Sequence, residues 1–360
     1  MEKEILERIQ DWLQKKPMPP YQLEINPTNL CNLHCLPCEA RGKPFYNSEE
    51  EKRITLGIYK SIIDEAASVG VKIIHLSGGG EPLAADKTIY IMEYIKQNNI
   101  KGSIVTNGTL FNEYLIKKLI MFSWDVILYS IDGADAKTHD YIRNYNGAFK
   151  KIIESIKQFN YYKSKLKNEK PELWMCLVLN SYNYKTIREY MHLAYSLNIK
   201  KIFIQPIRIK NDTLGKSLLL SEQQQKIFND SIGSLLKEAL HYGIETNLDE
   251  FDAKLIEKSS EIHTVIESYL EKKTNNLSSL PCYSPWYFMA IKPNGNVYPC
   301  GVDSSHHFGN IVYNNLTEMW YGDAFNNFRE KLLRKDLPAF CKECCGMTVM
   351  QTKKIQNSLN

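Results

Sequence analysis

The sequence predicts an α/β protein: a partial, TIM-like barrel of six strand–helix units, followed by a small α+β unit rich in cysteine. Two observations carry this. From residue 20 to 205, short apolar runs alternate with stretches whose apolar residues recur at helical spacing, and that alternation means parallel strands joined by right-handed crossovers. Beyond residue 280 the composition turns to Cys, Gly and Pro with short strand-like pieces.

Taken in order, residues 1–19 open with Met-Glu-Lys-Glu-Ile-Leu-Glu-Arg-Ile, which reads as a short amphipathic helix. It has no basic segment followed by an apolar one, so it is not a signal peptide, and a cytoplasmic location is expected. Strands are predicted at Tyr21–Asn26, Val71–Ser77, Gly102–Thr106, Asp125–Ile131, Leu173–Asn180 and Lys200–Gln205. Helices are predicted near 57–69, 86–98, 112–122, 147–161 and 184–197. In the first of these, Ile58, Ile62, Ala66 and Val69 share a face, and Gly70 stands where a helix-terminating glycine would. In such barrels the chemistry sits at the C-terminal ends of the strands. The barrel is assigned to 20–220, a helical connector starting at Ser221 to 221–280, the Cys-rich unit to 281–350 with a helix from Leu316 to Arg334, and a tail to 351–360.

Charged residues make up 24% and hydrophobic ones 43% of the chain, the balance of a globular enzyme. No stretch approaches the ~20 apolar residues of a membrane span. A net charge of +4 is too small to argue for nucleic acid. The Lys163–Lys170 run reads as a solvated loop. The informative number is nine cysteines. With no export signal, a reducing compartment favours metal ligation over a disulfide framework. Eight fall at 31–38 and 282–345; Cys176 stands alone.

Cys31, Cys35 and Cys38 form C-x3-C-x2-C directly after the first strand. Three thiolates on a tight loop can hold one face of a [4Fe-4S] cube and leave one iron without a protein ligand. Zinc is the alternative, with His34 inside the loop as a fourth ligand. The next strand ends in Ser77-Gly78-Gly79-Gly80-Glu81-Pro82. Glycines there let a ligand approach the backbone, and exposed carbonyls with Glu81 can accept hydrogen bonds from an ammonium group.

These motifs, at this spacing on successive strands, resemble those of radical S-adenosylmethionine (SAM) enzymes, over roughly residues 20–205. The resemblance implies that Cys31, Cys35 and Cys38 hold a [4Fe-4S] cluster whose open iron is chelated by SAM. It implies that reductive cleavage yields a 5′-deoxyadenosyl radical that takes a hydrogen atom from the substrate. Gly79, Gly80 and Glu81 then match the motif that contacts the methionine ammonium. The residue before the third cysteine offers its carbonyl to the adenine; it is commonly aromatic and is Pro37 here. Asn107 ends the third strand within Thr106-Asn107-Gly108. Ser130 and Arg143 match the positions that bind the SAM carboxylate in anaerobic sulfatase-maturating enzymes, an Arg fork suiting a carboxylate, against a plain surface ion pair for Arg143. Asp132 is expected to touch the ribose or to cap its turn, and Asn180 to contact ribose or adenine.

In the C-terminal unit, seventeen residues separate Cys282 from Cys300, and Cys341-x2-Cys344 follows. Asn294-Gly295 reads as a hairpin turn that brings Cys282 and Cys300 together. Four such cysteines can close around one metal centre, a zinc ribbon being the sober alternative. The pattern resembles the SPASM/twitch extension of radical SAM enzymes, which implies one auxiliary [4Fe-4S] cluster with four protein ligands. Such a cluster can accept an electron from a substrate radical. Cys176 and Cys345 are candidate hydrogen-atom donors, or simply a buried apolar thiol and a spare ligand. His306 and His307 read as solvated loop residues.

The expectation is an oxidoreductase that abstracts hydrogen and then oxidises its substrate. That substrate is a small molecule such as a sugar or aminocyclitol, or a peptide. A flavodoxin or ferredoxin is the expected low-potential electron donor. With about twenty residues before the first strand, the sequence leans towards a small molecule. The rivals are a redox-neutral epimerase using a cysteine donor and a non-enzymatic iron–sulfur or zinc protein.

Overall fold

The computed structural model describes residues 2–38, 54–207, 216–251, 280–301, 306–338, 340, 341, 344 and 346–359. Six strands, β1 (Gln22–Ile25), β2 (Ile73–Leu76), β3 (Lys101–Thr106), β4 (Val126–Ser130), β5 (Glu172–Leu179) and β6 (Lys201–Pro206), lie parallel in one sheet. Each predicted strand is present, with no end moved by more than two residues. Helices α1 (Glu2–Leu13), α2 (Leu56–Val69), α3 (Thr88–Gln97), α4 (Glu113–Met121), α5 (Ala136–Arg143), α6 (Ala148–Leu166) and α7 (Ile187–Ser196) precede or connect the strands. Alternation along each strand separates two faces. In β4, Ile127 and Tyr129 are buried against helices, whereas Val126, Leu128 and Ser130 are half-buried on the inner face.

Local signals explain the boundaries. Thr55 caps α2 by accepting from Ile58 N, and Gly70 ends it at φ 85°. Ser221 and Gln224 form a reciprocal capping box at the start of α8 (Glu222–Tyr242). The rest of the predicted connector, from residue 252 to 279, lies outside the described residues. Helix α5 was not predicted. It spans eight residues and its start is set by Asp135, which accepts from Thr138 N, a cap that short apolar periodicity does not reveal.

The Cys-rich unit joins the same sheet. Strand β7 (Phe288–Ile291) pairs parallel with β1, and β8 (Val297–Tyr298) pairs antiparallel with β7 across the predicted Asn294-Gly295 turn. The order is β6-β5-β4-β3-β2-β1-β7-β8. The helix predicted from Leu316 to Arg334 is two, α9 (Leu316–Tyr321) and α10 (Asp323–Leu333), because Gly322 adopts an extended conformation between them. The carboxylate of Glu65, on α2, accepts from Leu316 N, Thr317 N and Thr317 Oγ1 at 2.7, 2.8 and 2.6 Å and so caps α9 from the barrel. Arg329 fixes the other side. Its guanidinium lies 4.4 Å from the ring centroids of both Trp12 and Trp320 and donates to Pro285 O and Trp320 O. A last helix, α11 (Gly346–Leu359), is tied back by Gln356 Nε2 donating to Leu280 O at 2.9 Å. Among the described residues no helix is long and apolar enough to cross a membrane.

Candidate functional site

The first cysteine loop leaves the C-terminal end of β1 and is strapped to the two neighbouring strand ends. Gly80 N donates to Thr28 O at 2.9 Å and Glu81 N to Leu30 O at 2.8 Å. Asn32 donates through Nδ2 to Thr109 Oγ1 (2.8 Å) and accepts from Asn107 Nδ2 (2.9 Å). On the far side Leu36 N donates to Ile142 O at 2.8 Å. Cys31 and Cys35 are half-buried and Cys38 is exposed, all as free thiols. Burial pushes the Cys31 and Cys35 thiols up, and at Cys35 the Arg143 guanidinium opposes that rise. Pro37 is half-buried in the turn between Cys35 and Cys38, and His34 is exposed.

The glycines after β2 serve this loop directly. A Cβ on Gly80 would lie 2.0 Å from Leu30 O, and one on Gly79, where φ is +73°, would lie 2.9 Å from Thr28 O. The expected reason for Gly79 and Gly80, room for a ligand, is therefore joined by another: the cysteine loop's own backbone fills the space. Glu81 is buried, and burial pushes its carboxyl up. Its carboxylate accepts from Thr106 Oγ1 (2.6 Å), Asn107 N (2.7 Å) and Leu83 N (3.4 Å). A carboxylate offers about four acceptor positions, so these bonds occupy most of its capacity and lock the ends of β2 and β3 together.

Beyond β4 and β5 a second polar cluster forms. Arg143 is not on the surface. Its Nη2 lies 2.9 Å from Asp132 Oδ2, its Nη1 lies 3.8 Å from Cys35 Sγ, and its buried Nε has no partner among the described residues. Burial works against the charge of Arg143, but Asp132 and Cys35 outweigh it and hold the guanidinium firmly protonated. Asp132 Oδ1 accepts from Val178 N at 3.0 Å. His139 accepts from Asp132 N at 3.1 Å through Nδ1, and burial together with Arg143 pushes its pKa down to about 3. Ser130 stands on the inner face in register with Cys176. Cys176 shares that face with Trp174 and Val178, and burial pushes its thiol up to about 12.

Asn180 is turned into its own loop. It donates to Val178 O and accepts from Tyr182 N. Its neighbour Asn183, which sequence reasoning passed over, is fully buried and donates to both Asp132 O and Val178 O. Sequence reasoning also missed an inner-face row of Glu24, His75 and Ser103, which are register partners on β1, β2 and β3. His75 Nδ1 and Ser103 Oγ lie 2.6 Å apart, and Glu24 Oε1 accepts from Asn26 Nδ2 at 3.1 Å. The available signal was a polar residue alternating with apolar ones inside Gln-Leu-Glu-Ile and Ile-Ile-His-Leu, where a buried parallel strand is normally apolar throughout.

The second cysteine group is built differently. Cys282, Cys300, Cys341 and Cys344 line one cleft with Phe328 and Phe340 among its walls. Ser284 Oγ donates to Pro299 O at 2.9 Å, which holds the segments before β7 and after β8 together. Burial, then the neighbouring Cys300 and Cys344, push the Cys341 thiol up. Cys345 lies outside the described residues, and His306 and His307 are exposed. Chain direction puts this cleft at the end of the sheet where β1 begins, opposite the first cysteine loop.

Among the described residues no three Cys, His, Asp or Glu side chains converge on a single ion. The donor sets fit larger groups: three thiols beside an unpartnered Arg143 Nε for a cluster with an anionic ligand, and four thiols around one cleft for a closed cluster.

The radical SAM superfamily profile matches residues 25–194, and that of SPASM, an iron–sulfur cluster-binding domain, matches 282–345. The AdoMet-dependent heme synthase of Methanosarcina barkeri is 36% identical over 126 residues, 35% of this chain and 35% of that protein, so the match spans about a third of that relative. PqqA peptide cyclase of Rhizobium meliloti is 22% identical over 334 residues, 91% of this chain and 80% of the relative. Streptococcus suis SuiB bound to S-adenosylmethionine superposes with a TM-score of 0.65 at 15% identity, covering 94% of this chain and 76% of its own, and so shares the fold. The cofactors of these domains are [4Fe-4S] clusters and SAM. Two profile matches in the expected order, on the two cysteine sites described, show that the chain carries a radical SAM domain over residues 25–194 and a C-terminal SPASM domain over 282–345.

Proposed function

We propose that this protein oxidatively modifies a peptide by radical SAM chemistry, with the SPASM site receiving an electron. The observation that carries the reading is the arrangement of its two thiol groups. A triad follows the C-terminal end of β1, and a tetrad flanks the opposite end of the neighbouring β7 and β8. The polar row of Glu24, His75 and Ser103 lies on the inner face between them. When bound, cluster and SAM supply a 5′-deoxyadenosyl radical able to abstract a substrate hydrogen atom. Arg143 and Ser130 would orient the SAM carboxylate. Gly79, Gly80 and Asn107 border the cysteine loop where the methionine end would lie, and Pro37 would offer its carbonyl to the adenine. Asp132 holds Arg143 in place, while Asn180 shapes the neighbouring wall. Glu24 and His75, register partners on the inner face, would take the proton that substrate oxidation releases. A Cβ built on Gly301, next to Cys300, would lie 3.8 Å from Glu24 Oε2, so this row reaches the tetrad's end of the barrel.

A peptide is preferred to a sugar or aminocyclitol because PqqA peptide cyclase aligns over 91% of this chain. A second reading, epimerisation with Cys176 as hydrogen-atom donor, is favoured by that thiol's place on the inner face in register with Ser130. The test is anaerobic reconstitution, reduction, addition of SAM and of synthetic peptides encoded by short reading frames beside the gene. Expected are 5′-deoxyadenosine and a peptide lighter by two hydrogens. Protein carrying two clusters' worth of iron that forms no 5′-deoxyadenosine overturns the proposal. A product of unchanged mass with an inverted centre supports the epimerase.

A further inference from the structure

Arg143 makes two contacts that pull in opposite electrostatic directions. Nη1 reaches the sulfur of Cys35 at 3.8 Å, within hydrogen-bonding range of a thiolate, while Nη2 is held at 2.9 Å by Asp132 Oδ2. The side chains of Arg143 and Asp132 are 13% and 1% exposed, so solvent screens the pair weakly. A hydrogen bond and a positive charge at a cluster sulfur stabilise the reduced, more negative state, and a nearby carboxylate does the reverse; hydrogen bonds to sulfur and local charge are among the main levers on cluster potentials. The unpartnered Nε leaves a third donor of the same guanidinium for an arriving anion.

We propose that Arg143 sets the reduction potential of the cluster carried by Cys31, Cys35 and Cys38 through its contact with the Cys35 sulfur, and that Asp132 acts as the counterweight to it. The guanidinium thereby links two events. The SAM carboxylate draws on the same charge that Cys35 shares, so SAM binding and cluster potential are coupled, and by linkage each biases the other. This rests on the cluster standing on the first cysteine loop. Asp132 is a positioning residue, acting through Arg143.

The experiment is a redox titration, followed by EPR, of anaerobically reconstituted protein in a Cys282→Ala background, so that the SPASM site does not contribute. Arg143→Gln is expected to make the cluster at least tenfold harder to reduce, a fall of 59 mV for one electron. Asp132→Asn is expected to shift the potential upward. Removing one partner of a buried pair can unfold a protein, so Arg143→Lys and the double variant Asp132→Asn/Arg143→Gln complete the set. The lysine variant keeps the charge but loses the fork, and it is expected to lie between wild type and Arg143→Gln. The double variant is expected near wild type, because the two charges cancel. Shifts of the same sign for the two single variants, or no shift in either, overturn the proposal while leaving the SAM site intact. A parent protein, with Arg143 and Asp132 in place, whose signal does not respond to SAM overturns both the proposal and the placing of the cluster.

Discussion

The two cysteine sites differ in what surrounds the sulfur. At Cys31, Cys35 and Cys38 the loop is knitted to two strand ends by Glu81, Asn32 and Asn107, an arginine reaches one sulfur, and the third thiol is exposed. At Cys282, Cys300, Cys341 and Cys344 the walls include Phe328 and Phe340, and at Cys341 the neighbouring Cys300 and Cys344 add to the rise that burial causes, where Arg143 opposes it at Cys35. An open, polar, charge-compensated site suits a ligand that comes and goes. An apolar cleft lined by four thiols suits a group that exchanges electrons without exchanging ligands.

Substitutions can break this comparison. Cys31→Ala, Cys35→Ala or Cys38→Ala is expected to reduce 5′-deoxyadenosine formation to background, read by chromatography, while the iron of the SPASM site remains. Cys282→Ala is expected to remove that second iron complement and abolish substrate oxidation, yet leave SAM cleavage in place. Equal loss of cleavage in both variants would erase the functional distinction between the sites.

Smaller effects sharpen it. Glu81→Gln places an amide against donors that now meet a carboxylate, and the loss of charge-assisted bonds is expected to cost about 1.5–3 kcal/mol in urea unfolding. His139 is held neutral, with a folded pKa of about 3 against an ordinary 6.5. The unfolded chain therefore binds the proton more readily, so the stability due to His139 is complete above pH 6.5 and is lost as pH falls towards 3. Against His139→Gln, wild type is expected to lose on the order of a few kcal/mol across that window. Cys176→Ala should leave oxidation nearly unchanged, whereas an epimerase would lose turnover and still form 5′-deoxyadenosine.

The motifs that name the chemistry are contiguous and were legible as such: C-x3-C-x2-C, Gly-Gly-Glu and the later cysteines. The six barrel strands were legible because their apolar runs are short and bounded. Helix α5 and the break at Gly322 were not, since each is decided by a single cap or a single extended residue. The inner row Glu24–His75–Ser103 was hidden because its members lie on three strands, far apart in the chain, and register alone brings them together.

By itself the sequence determined where the cysteine and glycine motifs lie and which strand ends they follow, because thiol spacing and apolar period are local properties. The tertiary structure decided what each then touches. It buried Arg143 between Asp132 and Cys35, surrounded Glu81 with donors, and laid β7 beside β1 so that both cysteine groups share one sheet. Those are contacts between segments distant in sequence, set by packing and register, which no local pattern encodes.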